Sequence, residues 1–292
     1  MSKKLRPTER KVCGVCGFQN CLSTTCAQTL DDRERLLGRK ERVVLWPDTH
    51  CGDEDPRAIE LALKVTEKLE PTRLILLGDF LDFYGIARFD KDLSQKTALL
   101  KTEVEKGREV LRSIKSATPL CTTRSYIQGN HEARLTKWMW ANPAFRGLDT
   151  LSFDSLLGLS SAGFQASLVQ SIQLTPAIIV RHGSFIAQDA GQSGKKELQR
   201  AGMSGASGHT HRIGTYSLRT ESGLMSWTEC GHLQRNPPSW ASTQNWQQGL
   251  AYVDLDKTGS GFSIHTVPFR LSYTAVVEGS EVRAREKRKA TA

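Results

Sequence analysis

The chain has 292 residues, 38% hydrophobic and 24% charged, the balance of a globular protein long enough for one large domain or two small ones. Its basic start, MSKKLRPTERK, has no apolar stretch behind it. No secretory signal of the usual form is expected from it, and no apolar run is long enough to span a membrane, so a cytoplasmic setting without membrane contact is expected. The net charge of +9 attracts polyanions such as nucleic acid and equally serves solubility alone.

In chain order, residues 1–12 are a basic leader, followed by CGVCGFQNCLSTTC at 13–26. Where thiols stay reduced, clustered cysteines point to metal more often than to disulfides. Cys13, Cys16, Cys21 and Cys26 have the C-x2-C-x4-C-x4-C spacing of a zinc knuckle, with Cys21 where the knuckle has His. Four thiolates make a closed tetrahedral site for one structural zinc, with no position open for catalysis; the alternative is that the first pair binds nothing and the rest are small buried hydrophobes. Residues 1–30 therefore read as leader and four-cysteine module, and DDRERLLGRKER at 31–42 as a charged linker.

From Val43 the texture changes. RVVLWPDTH, TRLILLGDFLD and RSYIQGNHE each read as a buried strand running into a polar loop. Ala58, Ala62, Val65 and Leu69 predict a helix over Arg57–Leu69, and Leu100, Val104, Leu111 and Ile114 another over Thr97–Ile114. Such alternation predicts an α/β sheet. AIIVRHG and SGHTH read as further strand ends, GQSGKKELQRAG at 191–202 as a loop carrying Lys195 and Lys196, and GLAYVDL-DKTGSG-FSIHTV as a β-hairpin. Trp227 and Trp246 are expected in the core, and Cys51, Cys121 and Cys230 are expected to be structural. Residues 271–292, ending EVRAREKRKATA, read as a basic, mobile tail.

The polar residues at the strand ends carry the chemistry. Asp48 and His50 follow the first apolar run, Asp79 and Asp82 the second, Asn130, His131 and Glu132 the third, then His182, then His209 and His211. In α/β sheets the carboxyl ends of strands form the rim where ligands bind. Residues two apart on an extended segment face the same way, so D-x-H and H-x-H each offer two side chains to one site. Imidazole, carboxylate and carboxamide together suit borderline divalent cations. A carboxylate can bridge two of them, about 3.5–4 Å apart, which clamp both ends of a displacement at phosphorus. Of seven histidines only His232 and His265 fall outside these groups; both are read as hydrogen-bonded structural residues.

The series DTH, GDFLD, GNHE, HG and GHTH resembles the calcineurin-like metallophosphoesterases, over about residues 43–270. The resemblance implies an α/β/β/α sandwich of two packed sheets flanked by helices, with a dinuclear site at one edge. It implies that Asp48, His50 and His211 bind one metal, that Asn130, His182 and His209 bind the other, and that Asp79 bridges. The two divalent ions would be Mn, Fe, Zn or Ni, with Mn favoured. The implied activity is hydrolysis of phosphate esters by a bridging hydroxide, with His131 as general acid. Glu132 would hold or polarise His131, or form a structural salt bridge. Asp82 would orient a ligand imidazole or cap a loop. Arg134, Arg212, Lys195 and Lys196 are candidates to grip phosphate or to be solvated. The family's protein phosphatases carry arginines where this chain has Phe83 and Gln128, and its break-repair nucleases usually have His in place of Asp82. Basic charge, basic tail and knuckle-like module favour a nuclease acting on DNA or RNA phosphodiesters. The alternatives are a phosphatase or pyrophosphatase on nucleotides or small esters, and a non-catalytic nucleic-acid-binding protein on the same fold.

Overall fold

The computed structural model describes residues 41–87, 99–221, 223–235, 244–256 and 261–285. The four-cysteine cluster and the leader lie outside the described residues. Two five-stranded sheets stack face to face. The first has strand order β10-β9-β1-β2-β3, built from β1 (Glu41–Trp46), β2 (Arg73–Leu76), β3 (Thr123–Tyr126), β9 (Gly249–Leu255) and β10 (Phe262–Pro268). β1, β2 and β3 are parallel; β9 and β10 add antiparallel neighbours. The second has order β4-β5-β6-β8-β7, from β4 (Ser171–Thr175), β5 (Ile178–Arg181), β6 (Ser204–Ser207), β7 (Ile213–Thr220) and β8 (Gly223–Cys230).

Side-chain alternation sorts each first-sheet strand into two cores. Val43, Leu45, Ile75, Leu77 and Val253 face inward against Ile178, Val180, Ala206 and Cys230 of the second sheet. Val44, Trp46, Leu74, Leu76 and Tyr126 face outward under α1 (Pro56–Leu69) and α2 (Leu100–Ala117). Burial on both faces is why these strands are nearly all apolar. The outer face of the second sheet carries α5 (Gln192–Ala201). The layers are therefore α/β/β/α, as the resemblance implied. Asp55 starts α1 by accepting hydrogen bonds from the Arg57 and Ala58 amides, with Pro56 in the first turn. α3 (Glu132–Ala141) and the short α4 (Phe153–Leu157) complete the helices used below.

Two expectations are corrected. Within residues 191–202, Gln192–Ala201 form helix α5, not a loop. Gly191 and Gly202 sit at its ends with positive φ, while Glu197 and Leu198 are buried against the sheet. The mobile tail expected from 271 does not begin there. β11 (Thr274–Val277) and β12 (Ser280–Arg283) form a hairpin packed on α1, burying Ala275, Val277 and Ala284. Around β12 apolar residues alternate with charged ones, and β11 is only four residues long, so the polar composition of the segment hid the hairpin. Among the described residues no helix is long and apolar enough to cross a membrane.

Candidate metal centre

The loops after β1, β2, β3, β5 and β6 meet at one edge of the sandwich. The Thr49 and His50 amides both donate to the Asp79 carbonyl at 3.0 Å, tying the first two loops together. His50, Asp79, His209 and His211 all have positive φ, between 47 and 69°. Backbone strain of this kind in non-glycine residues collects at functional sites. Two glycines permit the close approach. A Cβ on Gly129 would lie 2.2 Å from Asp79 Oδ1, and one on Gly208 would lie 2.1 Å from Asp48 Oδ2.

Seven predicted donors fall into two adjoining groups. In the first, His50 Nε2 and His211 Nε2 are 3.1 Å apart, and His211 Nε2 is 3.5 Å from Asp48 Oδ1. In the second, His182 Nε2 lies 3.0 Å from Asn130 Oδ1, 3.1 Å from His209 Nδ1 and 3.2 Å from Asp79 Oδ2. Asp79 stands between them, within reach of His50 and His131 on one side and of His182 and His209 on the other. The His182 Nδ1–H donates to the Leu77 carbonyl at 2.9 Å, which aims Nε2 at the group. The His209 amide donates to both Asp48 oxygens at 2.9 and 3.0 Å.

These spacings fit metal. Donors each about 2.1 Å from a common ion, at tetrahedral or octahedral angles, lie about 3.0–3.4 Å from one another. In the metal-free protein each facing pair can share one proton, His50 with His211 and His182 with His209, and divalent cations would take the same lone pairs. The arrangement would let Asp48, His50 and His211 hold one divalent ion and Asn130, His182 and His209 a second, with Asp79 shared.

The electrostatics agree. Burial pulls His50 down, but the hydrogen bond and charge of Asp82 outweigh it and push the group up to about 9. Burial likewise opposes protonation of His182, and Asp79 overrides it, raising the group to about 10. Burial works to raise Asp79, yet the charges of His182 and His131 hold it well below the carboxylate range. Carboxylates that keep two buried imidazoles protonated are the charges a cation would meet, and metal binding would release those protons.

Asp82 ties the acid candidate to the ligands. Its Oδ1 is 3.1 Å from His50 Nδ1 and 2.7 Å from His131 Nδ1. Arg134 donates to the Asp82 carbonyl at 2.7 Å and to His131 Nε2 at 2.9 Å. His131 Nε2 is 3.7 Å from Asp79 Oδ2, at the lip of the centre. Asp82 is thus a positioning carboxylate, and of the two readings of Arg134 the structure gives contact with the site.

Glu132 does not hold His131. As the first residue of α3 its fully buried carboxylate turns under the second loop. It accepts the Asp79 amide at 2.9 Å, the Phe80 amide at 2.9 Å, the Gly129 amide at 2.8 Å and the Tyr126 hydroxyl at 2.7 Å. It fixes the backbone that presents Asp79. Arg212 is also displaced from its candidate role: it is buried, donating to the Thr210 carbonyl at 3.1 Å. Lys195 and Lys196 lie exposed on α5. Cys51, Cys121 and Cys230 are buried and free, as expected of structural thiols.

Several contributors had no sequence signal. The buried Glu103 of α2 accepts the Phe83 amide at 2.8 Å and the Tyr84 amide at 3.3 Å, holding the loop that carries Asp82. The buried Glu229 accepts the Gly191 and Gly194 amides and the Thr210 hydroxyl. His232, expected to be hydrogen-bonded, instead stacks on His211 at 4.8 Å, and neither of its ring nitrogens has a hydrogen-bond partner among the described residues. Trp246 is half-buried with its edge against His211 at 4.3 Å, whereas Trp227 is in the core as expected. His265 stacks on Tyr252 at the surface.

No family model matches the chain. It is similar to the "Gene 54 protein" of Mycobacterium phage D29 and that of Mycobacterium phage L5, each 23% identical over 234 residues, covering 74% of this chain and 89% of theirs. Among solved structures it is similar to a single mutant of Vps29 from Entamoeba histolytica, with 11% identity, a TM-score of 0.40 and 82% and 96% of the two chains covered. It is also similar to Vps29 from Chaetomium thermophilum, at 10% identity, a TM-score of 0.41 and coverage of 84% and 99%. The zinc complex of wild-type Vps29 from Entamoeba histolytica is 12% identical, with a TM-score of 0.40 and coverage of 82% and 96%. At such distances the site is read from this chain's own residues.

Proposed function

We propose that the chain is a dinuclear-metal phosphoesterase that hydrolyses nucleic-acid phosphodiesters. One observation carries the reading: donors from five loops converge into two groups sharing Asp79, at spacings of 3.0–3.5 Å. Divalent ions bound there would supply an activated water and neutralise charge at phosphorus. His131, its Nδ1 held by Asp82, would deliver a proton from Nε2 to the leaving oxygen. For that step Nε2 must first take a proton and Arg134 must release it; a phosphate oxygen is the natural new partner for the guanidinium. Phe83 is buried, and Gln128 is neutral, so neither phosphate-gripping arginine of a protein phosphatase has a counterpart. The net charge of +9 favours a polyanionic substrate.

The test is turnover by the purified chain with Mn²⁺ on single- and double-stranded DNA, a chromogenic phosphodiester and a chromogenic monoester. Cleavage of nucleic acid and diester that EDTA abolishes is expected. Activity on the monoester alone would sink the nuclease reading, and metal-dependent turnover of none of them would sink the phosphoesterase.

A further inference from the structure

The second group of donors opens into a cleft of about 440 Å³, whose walls include Gln128, Asn130, Lys137, Trp140, Gln170 and His182. α3 forms one wall. Its Ala133, Thr136, Lys137 and Trp140 stand at i, i+3, i+4 and i+7, so they share one face. That face leads from Asn130 to Trp140, which is 64% exposed. Among the described residues no carboxylate lines the cleft, while Lys137 and Arg181 do. The Gln170 amide donates to the Gln128 carboxamide oxygen. A primary amide has two donors and an acceptor oxygen with two lone pairs, so this pair keeps hydrogen-bonding capacity after binding itself.

An exposed indole alone says little. An exposed indole on a carboxylate-free wall that begins at metal-ligand residues says more. The combination suits a ligand with a flat π-face, edge donors and acceptors, and negative charge. We propose that the cleft takes an unpaired base of a single-stranded nucleic acid, stacked on Trp140, while the strand's scissile phosphate lies at the metal centre. This rests on the phosphoesterase reading and names its substrate. A base can stack on a side chain only when its own face is uncovered, which duplex stacking prevents. The strand, rather than a mononucleotide, follows from length. The helix rises about 1.5 Å per residue, so Ala133 and Trp140 are about 10 Å apart along its axis. Side chains lean toward the helix N-terminus, which shortens this by up to a turn. A stacked strand advances about 3.4 Å per nucleotide, so the base on Trp140 belongs to a nucleotide one to three removed from the scissile phosphate. Gln128 and Gln170 would meet the base edge and Lys137 a neighbouring phosphate.

The test uses the full chain with Trp140→Ala and Trp140→Phe. Steady-state kinetics with Mn²⁺ compare a single-stranded oligonucleotide with bis(p-nitrophenyl) phosphate, which has no base. Anisotropy of a labelled oligonucleotide in EDTA, at fixed salt, reads binding without turnover. For Trp140→Ala the oligonucleotide KM should rise about tenfold or more relative to the small-diester KM, with a similar loss of metal-free binding, and Phe should restore most of both. If the wild type cleaves the diester but oligonucleotide KM and binding change less than about twofold in Trp140→Ala, the cleft assignment is overturned and the phosphoesterase stands. If duplex DNA depends on Trp140 as strongly as the single strand, the assignment is overturned too. If no ester is turned over yet oligonucleotide binding requires Trp140, the phosphoesterase reading falls and the base site is upheld.

Discussion

The two halves of the metal centre use the same residue types in different settings. Asp48, His50 and His211 are 0, 2 and 7% exposed, backed by the rings of His232 and Trp246 and by Asp82. Of the second set, His182 is buried, but His209 is half-buried and Asn130 exposed, beside the cleft. The first group is enclosed, while the second borders the cleft. Burial thus separates an enclosed candidate cation position from one that a substrate could approach.

The strongest way to break this contrast is through the shared carboxylate. Asp79→Asn should abolish tight binding at both positions and lower turnover by more than about a hundredfold, read by metal analysis after gel filtration and by diester kinetics. If only one equivalent is lost, Asp79 does not bridge. Gly208→Ala acts first on the buried half, since its Cβ would collide with Asp48 Oδ2 at 2.1 Å. Affinity there should fall by roughly ten- to a hundredfold, with a smaller loss at the open half through the adjoining His209, measured by calorimetric titration. Asp82→Asn leaves the first-half donors in place but loosens His50 and His131 together. A drop of about tenfold in kcat is expected, with a smaller loss of metal affinity, and equal losses in both would mean that His131 is not the acid.

The smallest effect concerns the support of the Asp82 loop. Burial, helped by the charge of Asp82, raises Glu103 from its ordinary 4.5 to about 8. The folded protein therefore keeps that proton over a range in which the unfolded chain releases it. The stabilisation is full below about 4.5 and is lost as pH rises through about 8. Between pH of about 6 and about 9 the metal-free protein should lose several degrees of Tm, and Glu103→Gln should lose less. Parallel melting curves for the two proteins across that range would refute this role for Glu103.

The five loop groups were legible because each is local: an apolar strand ends, and ligands one or two residues apart follow it. The first sheet, α1 and α2 were legible for the same reason, since strands buried on both faces and helices with one apolar face carry strong patterns. β7 and β8 were missed, being half-exposed with mixed composition. α5 read as a loop because its glycines and lysines outweigh its buried residues in sequence, though not in the fold.

By itself the sequence determined the candidate metal-ligating residues, the α/β class and the positive charge, all properties of residue type and short spacing. The tertiary structure decided what surrounds them. It gave Asp82 to two histidines, turned Glu132 away from His131 and onto backbone amides, and placed Trp246 on His211. Most partners in these contacts lie 32 to 53 residues apart, as with His50 and Asp82 and with Asp79 and Glu132. A buried carboxylate binds whichever donors packing brings within about 3 Å, and only the folded chain sets which those are.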